Sequence, residues 1–176
     1  VLRLREVMKT AAVNAAVSNA LGDVMQPFGQ TRIIPDPVDG DFFKPVQSQK
    51  RDYFMFRAMG QLRPIKGYDM LIEAFALLKQ KTNGKVMLEI AGTGAQRDML
   101  QAMIDKHNIG DCCKLVGRVP RTQVVEYMNG CDCFVCSSRV ETLSCVLNEA
   151  AACGKPLIST RCGGPLDIVN HETGLL

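Results

Sequence analysis

Two glutamates, Glu141 and Glu149, stand eight positions apart in a stretch, residues 137–167, that reads SSRVETLSCVLNEAAACGKPLISTRCGGPLD. A strand-like run, Asp132–Cys136, leads into a short polar loop, Ser137–Thr142. An Ala-rich helical run, Leu143–Cys153, follows and is closed by Gly154; a second buried strand, Pro156–Thr160, ends near the pair Gly163–Gly164. A strand, a loop with free backbone donors and a helix N-terminus make a site for an anion, above all a phosphate. Two acids beside a phosphate would repel it unless they serve another purpose. Carboxylates accept hydrogen bonds from hydroxyls, so the pattern predicts a ligand carrying both phosphate and sugar hydroxyls. A nucleotide sugar fits that description.

The spacing Glu-x7-Glu, followed by Ala-x-x-Gly-Lys-Pro and Gly-Gly-Pro-x-Asp, resembles the donor-site signature of group 1 (family 4) retaining glycosyltransferases. The similarity runs from about Ala16 to the end of the chain. It implies an α/β fold with a doubly wound parallel sheet (Rossmann-like), the C-terminal half of a GT-B fold. It also implies transfer of a glycosyl unit, with retained anomeric configuration, from a nucleotide sugar to a saccharide or lipid-linked acceptor. Catalysis would centre on Glu141, near the transferred sugar, and Glu149 would hold the ribose hydroxyls. The amides of Thr142, Leu143, Ser144 and Cys145 would face the phosphates or the sugar. Ser144 stands where the family often has glycine, and its hydroxyl would narrow the sugar pocket. Asp167 stands where glutamate is more usual.

A further loop, Gly60-Gln61-Leu62-Arg63-Pro64-Ile65-Lys66-Gly67, resembles the family's GRL…KG element, which meets the diphosphate through an arginine and a lysine. Lys66 and Gly67 match, Gln61 replaces the arginine, and Arg63 is a candidate substitute. A leaving diphosphate gains charge in the transition state, which is why fixed cations are needed there. The segment Arg118-Val119-Pro120-Arg121 resembles the part that touches the nucleobase, with Val119 as the nearest candidate. Gly92 and Gly94 would either admit the base or ribose closely or make a simple turn.

Those loops need elements to position them, and the periodicity supplies an alternation. Val1–Thr10 reads as a helix, Ala15–Ser18 as a short strand, Ala20–Phe28 as a helix capped by Ser18, and Arg32–Pro35 as a strand. A turn-rich connector, DPVDGDFFKP, follows. Strands are then expected at Tyr53–Met59, Lys85–Ala91, Cys113–Gly117, Asp132–Cys136 and Pro156–Thr160. The intervening helices are Tyr68–Lys81, broken by Asn83-Gly84, then Gln96–His107 and Thr122–Asn129. The spacing puts Leu71, Ala74, Phe75 and Leu78 on one core face of the first helix, and Met99, Leu100, Met103 and Ile104 on that of the second. A short helix, Pro165–Val169, and an apolar stub, Gly174–Leu176, complete the pattern. Apolar strands alternating with amphipathic helices predict a parallel sheet covered on both faces, with ligands outside the carboxyl ends of its strands.

By the same resemblance, residues 1–40 are a remnant of an N-terminal domain with its linker, and 41–176 a Rossmann-like nucleotide-sugar-binding domain that lacks its C-terminal helix. The chain starts at Val1 rather than Met, which reads as a piece of something longer. The acceptor would bind through the absent N-terminal domain, and this stretch alone would transfer nothing efficiently.

Composition bounds the alternatives. With 47% apolar and 22% charged residues, the chain can bury a core. A net charge of +3, 6% aromatics and no Trp argue against a nucleic-acid surface built on stacking. Eight cysteines and two histidines lack metal-ligand spacing, so no metal and no cofactor beyond the donor are expected, and the thiols read as small buried hydrophobes. No apolar run is long enough to span a membrane. The resemblance places such an enzyme in the cytoplasm, with room for peripheral association at the inner membrane face and for self-association of the fragment. The competing readings are a nucleotide-sugar epimerase or phosphorylase of the same fold, and a non-catalytic nucleotide-sugar-binding module. A glycosidase acid pair fits poorly, since hydrolysis needs neither the lysine loop nor the strand-end glycines.

Overall fold

The computed structural model describes residues 2–47, 50–82 and 85–176. The expected break at Asn83-Gly84 lies outside the described residues.

A six-stranded, all-parallel sheet forms the body of the chain. In sequence its strands are β3 (Phe54–Met59), β4 (Val86–Ala91), β5 (Cys113–Gly117), β6 (Cys133–Cys136), β7 (Leu157–Ser159) and β8 (Gly174–Leu175). In space the order is β5-β4-β3-β6-β7-β8. The order reverses between β3 and β6, so the loops leaving those two strands diverge and open a crevice at the carboxyl edge. Alternate residues of each strand serve opposite faces. On one face Ala58, Leu88 and Ile90 pack with Ile72 and Phe75 of α3 (Tyr68–Lys81) and Leu100 of α4 (Arg97–Lys106). On the other, Met55, Phe134 and Leu157 pack with Met128 of α5 (Val124–Asn129) and Leu147 of α6 (Cys145–Ala152). Helices on both faces make the sheet doubly wound, as expected.

A smaller unit precedes it. Here β1 (Asn14–Ala16) pairs in parallel with β2 (Thr31–Ile33), flanked by α1 (Leu2–Thr10) and α2 (Asn19–Met25). Ser18 caps α2, its Oγ accepting from the amide of Leu21 at 3.2 Å. The unit is tied to the larger sheet by Asp167, whose carboxylate accepts from the Asn19 amide at 2.7 Å and from Asn19 Nδ2 at 3.1 Å.

Two core stripes differ from expectation. Helix α3 turns Tyr68, Ile72, Phe75 and Ala76 inward, while Ala74 is exposed and Leu71 and Leu78 are only half-buried. The helix sits over β3 and β4, so its Leu71–Ala74–Leu78 edge overhangs β6 and β7. With Phe56, Val135 and Ile158 it lines an apolar groove of about 310 Å³. On α4, Met99 is 40% exposed, so the core face is Leu100 and Ile104 with Met103 beside them. Composition cannot orient a helix whose apolar arc is wider than its contact.

The cysteines are free thiols, and Cys112, Cys113, Cys131, Cys133, Cys136 and Cys153 are buried. Burial pushes the thiols of Cys113 and Cys131 up to about 12 and that of Cys133 to about 11, so they remain protonated hydrophobes. Cys145 departs from that expectation and is exposed, because it opens α6 at the sheet edge. Among the described residues no cluster of His, Cys, Asp and Glu has metal-holding geometry, and no helix is long and apolar enough to cross a membrane.

Candidate functional site

The loops leaving β3, β4, β5 and β6 are stitched to one another at the carboxyl edge. The Gly60 amide donates to Ala91 O at 2.9 Å, Gly92 to Gly117 O at 2.7 Å and Arg139 to Ile65 O at 2.8 Å. Ser137 Oγ donates to Lys66 O at 2.9 Å. These contacts require glycine in two places. A Cβ on Gly67, at φ 63°, would lie 2.1 Å from Ser137 O, and one on Gly92 would lie 1.8 Å from Gly60 O. For Gly92 the close backbone approach is therefore the structural requirement.

Lys66 and Glu141 meet where two of these loops join. Lys66 Nζ lies 2.5 Å from Glu141 Oε2, and Ser138 Oγ donates to the same oxygen at 3.2 Å. The pair is largely but not wholly shielded, with side-chain exposures of 27% and 15%. The backbone of Glu141 is equally constrained: its amide donates to Cys162 O and its carbonyl accepts from Gly164, each at 2.9 Å. A Cβ on Gly164 would lie 2.2 Å from Thr142 O, so the Gly-Gly-Pro turn can approach only as glycine. The void bounded by Lys66, Tyr68, Ser138 and Glu141 holds about 10 Å³, room for about one water.

Helix α6 starts at Cys145, two residues later than expected. Ser144 precedes it in the left-handed region, φ 79° and ψ 73°, and its side chain does not cap the helix. A conformation that favours glycine explains why that residue suits the position. The Ser144 hydroxyl donates to Cys136 Sγ at 3.8 Å and the residue is 6% exposed, so it turns inward rather than narrowing an open pocket. The Leu147 and Asn148 amides bond to Ser144 O at 3.0 and 3.4 Å. The first-turn amides of Cys145 and Val146 are the ones that helix geometry leaves without an internal acceptor. Thr142 is exposed and Leu143 is buried.

Glu149 lies four residues into α6, about 6 Å along its axis from Cys145. Its carboxylate faces Arg121 Nη1 at 3.3 Å. Burial pushes the Glu149 pKa above the ordinary carboxylate range, and Arg121 opposes that shift. Each acid is thus matched by a cation, Glu141 by Lys66 and Glu149 by Arg121, which removes the repulsion two bare carboxylates would exert on a phosphate.

The other expected residues are placed less pointedly. Gln61 and Arg63 are exposed in the loop before Lys66. Val119 is half-buried, packed against the core cluster that includes Leu147 of α6. Sequence reasoning did not single out Arg121, Ser138 or the bidentate pair Arg139–Asp69 (2.9 and 2.7 Å), which straps the β6 loop to α3. The partners of Arg121 and Arg139 lie far away in sequence, where no spacing rule joins them, and Ser138, three residues from Glu141, stands in a loop whose path the spacing does not fix. A roomier cleft of about 530 Å³ lies at the opposite end of β7, around Lys155, Pro156 and Thr173, away from these groups.

Residues 40–176 match the family model described as glycosyl transferases group 1. The chain belongs to that family. The matched span begins later than the resemblance from Ala16 had suggested. Among curated relatives, the chain is 28% identical over 147 residues to the phosphatidylinositol N-acetylglucosaminyltransferase GPI3 subunit of Saccharomyces cerevisiae, covering 80% of this chain and 32% of that protein. It is 32% identical over 118 residues to glycogen synthase of Mycobacterium tuberculosis, covering 66% and 28%. The chain therefore spans about a third of the length of these relatives. Sucrose-phosphate synthase from Thermosynechococcus elongatus superposes with a TM-score of 0.89 at 24% identity, over 99% of this chain and 47% of that one. Anabaena Alr3699/HepE, solved with UDP and glucose, superposes at 0.83 and 21% identity, over 99% and 52%. The fold is that of the C-terminal half of a GT-B glycosyltransferase.

Proposed function

We propose that this chain is the donor-binding part of a glycosyltransferase that uses a nucleotide sugar and transfers its glycosyl unit, with retention, to a saccharide or lipid-linked acceptor. The observation that carries this reading is the Lys66–Glu141 pair, set at the crevice edge beside the N-terminus of α6 with Glu149 one turn further on. Lys66 meets the diphosphate as its leaving charge grows, assisted by the amides of Thr142, Leu143, Ser144 and Cys145. Glu141, released from Lys66 by the incoming phosphate, faces the transferred sugar. Glu149 accepts the ribose hydroxyls, the backbone at Val119 borders the base, and Gln61 and Arg63 approach the diphosphate from the outer loop. UDP is the first nucleotide to try, since it is the one named in the Alr3699/HepE complexes. The acceptor is bound by the portion that makes up the remaining length of the relatives, so this stretch alone holds donor weakly.

The test is donor turnover by the longer protein that contains this chain. Lys66→Ala and Glu141→Gln are each expected to lower transfer and donor hydrolysis by about a hundredfold or more. Wild-type rates in both variants would refute the assignment. A product that is an epimerised nucleotide sugar or a sugar phosphate would move the protein to the epimerase or phosphorylase reading, and binding without turnover to that of a non-catalytic module.

A further inference from the structure

Arg121 brings together three segments that the chain keeps far apart. It begins the 3-10 turn Arg121–Gln123 after β5. Its guanidinium lies 5.0 Å from the ring centre of Phe42 and 5.1 Å from that of Phe43. Those two rings meet edge to face at 4.9 Å. Phe43 is buried at 2% exposure, so the aromatic step is fixed in place. From this step Nη1 reaches Glu149 on α6 at 3.3 Å, while the Arg121 side chain remains 66% exposed. One edge of the fork is committed to Glu149, and the other is open to a ligand at the same rim.

We propose that Arg121 is a positioning residue for the nucleoside end of the donor: seated on the Phe42–Phe43 step, it aims the Glu149 carboxylate at the ribose hydroxyls. The inference rests on the reading of Glu149 given above and adds to it a residue and a segment. A planar guanidinium stacks on aromatic rings and presents its donors in a fixed plane, so it constrains its acceptor more than an ammonium would. It also guards the charge on which hydroxyl binding depends. Burial and Arg121, from the turn after β5, act on Glu149; the thiols of Cys145 and Cys153, at the two ends of α6, feel the Glu149 charge, and Asp36 accepts from Cys145 Sγ at 3.8 Å. Arg121 alone among these is a cation. Without it, half-buried Glu149 takes up a proton at a higher pH and loses acceptor capacity.

The test is a ligand-observed NMR titration of this chain with UDP and with 2′,3′-dideoxy-UDP, at pH 6 and pH 8. Wild type is expected to prefer UDP at both. In Arg121→Ala the preference shrinks, by about threefold more at pH 6 than at pH 8, a size suited to an exposed pair. Arg121→Lys keeps the positive charge but not the flat fork, so it removes the extra loss at pH 6 and restores only part of the preference. Circular dichroism of each variant verifies the fold, and Arg121→Lys carries the comparison if the alanine variant unfolds. An unchanged preference in Arg121→Ala at both pH values overturns this inference and leaves the role of Glu149 intact. Equal binding of the two nucleotides by wild type, or no binding of UDP, overturns the ribose reading and this inference with it.

Discussion

Breaking the Lys66–Glu141 pair from each side separates its structural contribution from its chemical one. Charge centres about 3 Å apart at an effective dielectric of about 20 attract by about 5 kcal/mol. Most of that offsets the desolvation of two groups that retain 27% and 15% exposure, leaving a net contribution of about 1–2 kcal/mol. Lys66→Ala leaves Glu141 with only the Ser138 hydroxyl and should lose about that amount. Over a chain of 176 residues this lowers Tm by about 3–6 °C. Glu141→Gln keeps an acceptor for Ser138 and frees a lysine that can reach water, so its loss should be smaller. Urea unfolding of wild type, both single variants and the double variant, followed by circular dichroism, gives the coupling directly. It should be about 1 kcal/mol and shrink in half-molar salt. Additive losses, within about 0.3 kcal/mol, would show that the contact does not form in solution and remove the basis for a cation poised at Glu141.

Two further outcomes follow from the same edge of the sheet. Gly164→Ala would put a Cβ 2.2 Å from Thr142 O and 2.4 Å from Leu143 Cα, both backbone atoms, so the loop must move. A loss of about 3 kcal/mol by urea unfolding is expected, together with loss of nucleotide binding, and wild-type behaviour in both would contradict the packing. The Arg139 guanidinium holds the Asp69 carboxyl below its ordinary value, chiefly by direct hydrogen bonds. Stability from that pair is present at neutral pH and is lost as pH falls through the lowered pKa of the folded state. Arg139→Ala should therefore lower stability only slightly near pH 7 and flatten the acid limb of the urea midpoint below about pH 4; an unchanged limb would count against it.

The alternation of short apolar runs with amphipathic helices determined the sheet, its parallel sense and the edge on which the loops gather. Strand Cys113–Gly117 and helix Tyr68–Lys81 have the bounds that periodicity alone predicts. These are local properties: period, turn chemistry and small side chains act within a few residues.

What the folded chain alone decided is which distant groups meet. Ser144 takes a left-handed conformation and turns its hydroxyl to Cys136 because the β6 loop must clear the Gly-Gly-Pro turn, which shortens α6 by two residues at its start. Leu71 and Leu78 obey the helical period and still line an open groove, because the width of the sheet under α3 is set by the strand order. Lys66 finds Glu141 across 75 positions, and Arg121 finds Glu149 across 28 while resting on Phe42 and Phe43. Pairings of that range depend on the crossover connections of the sheet, and residue spacing carries no record of them.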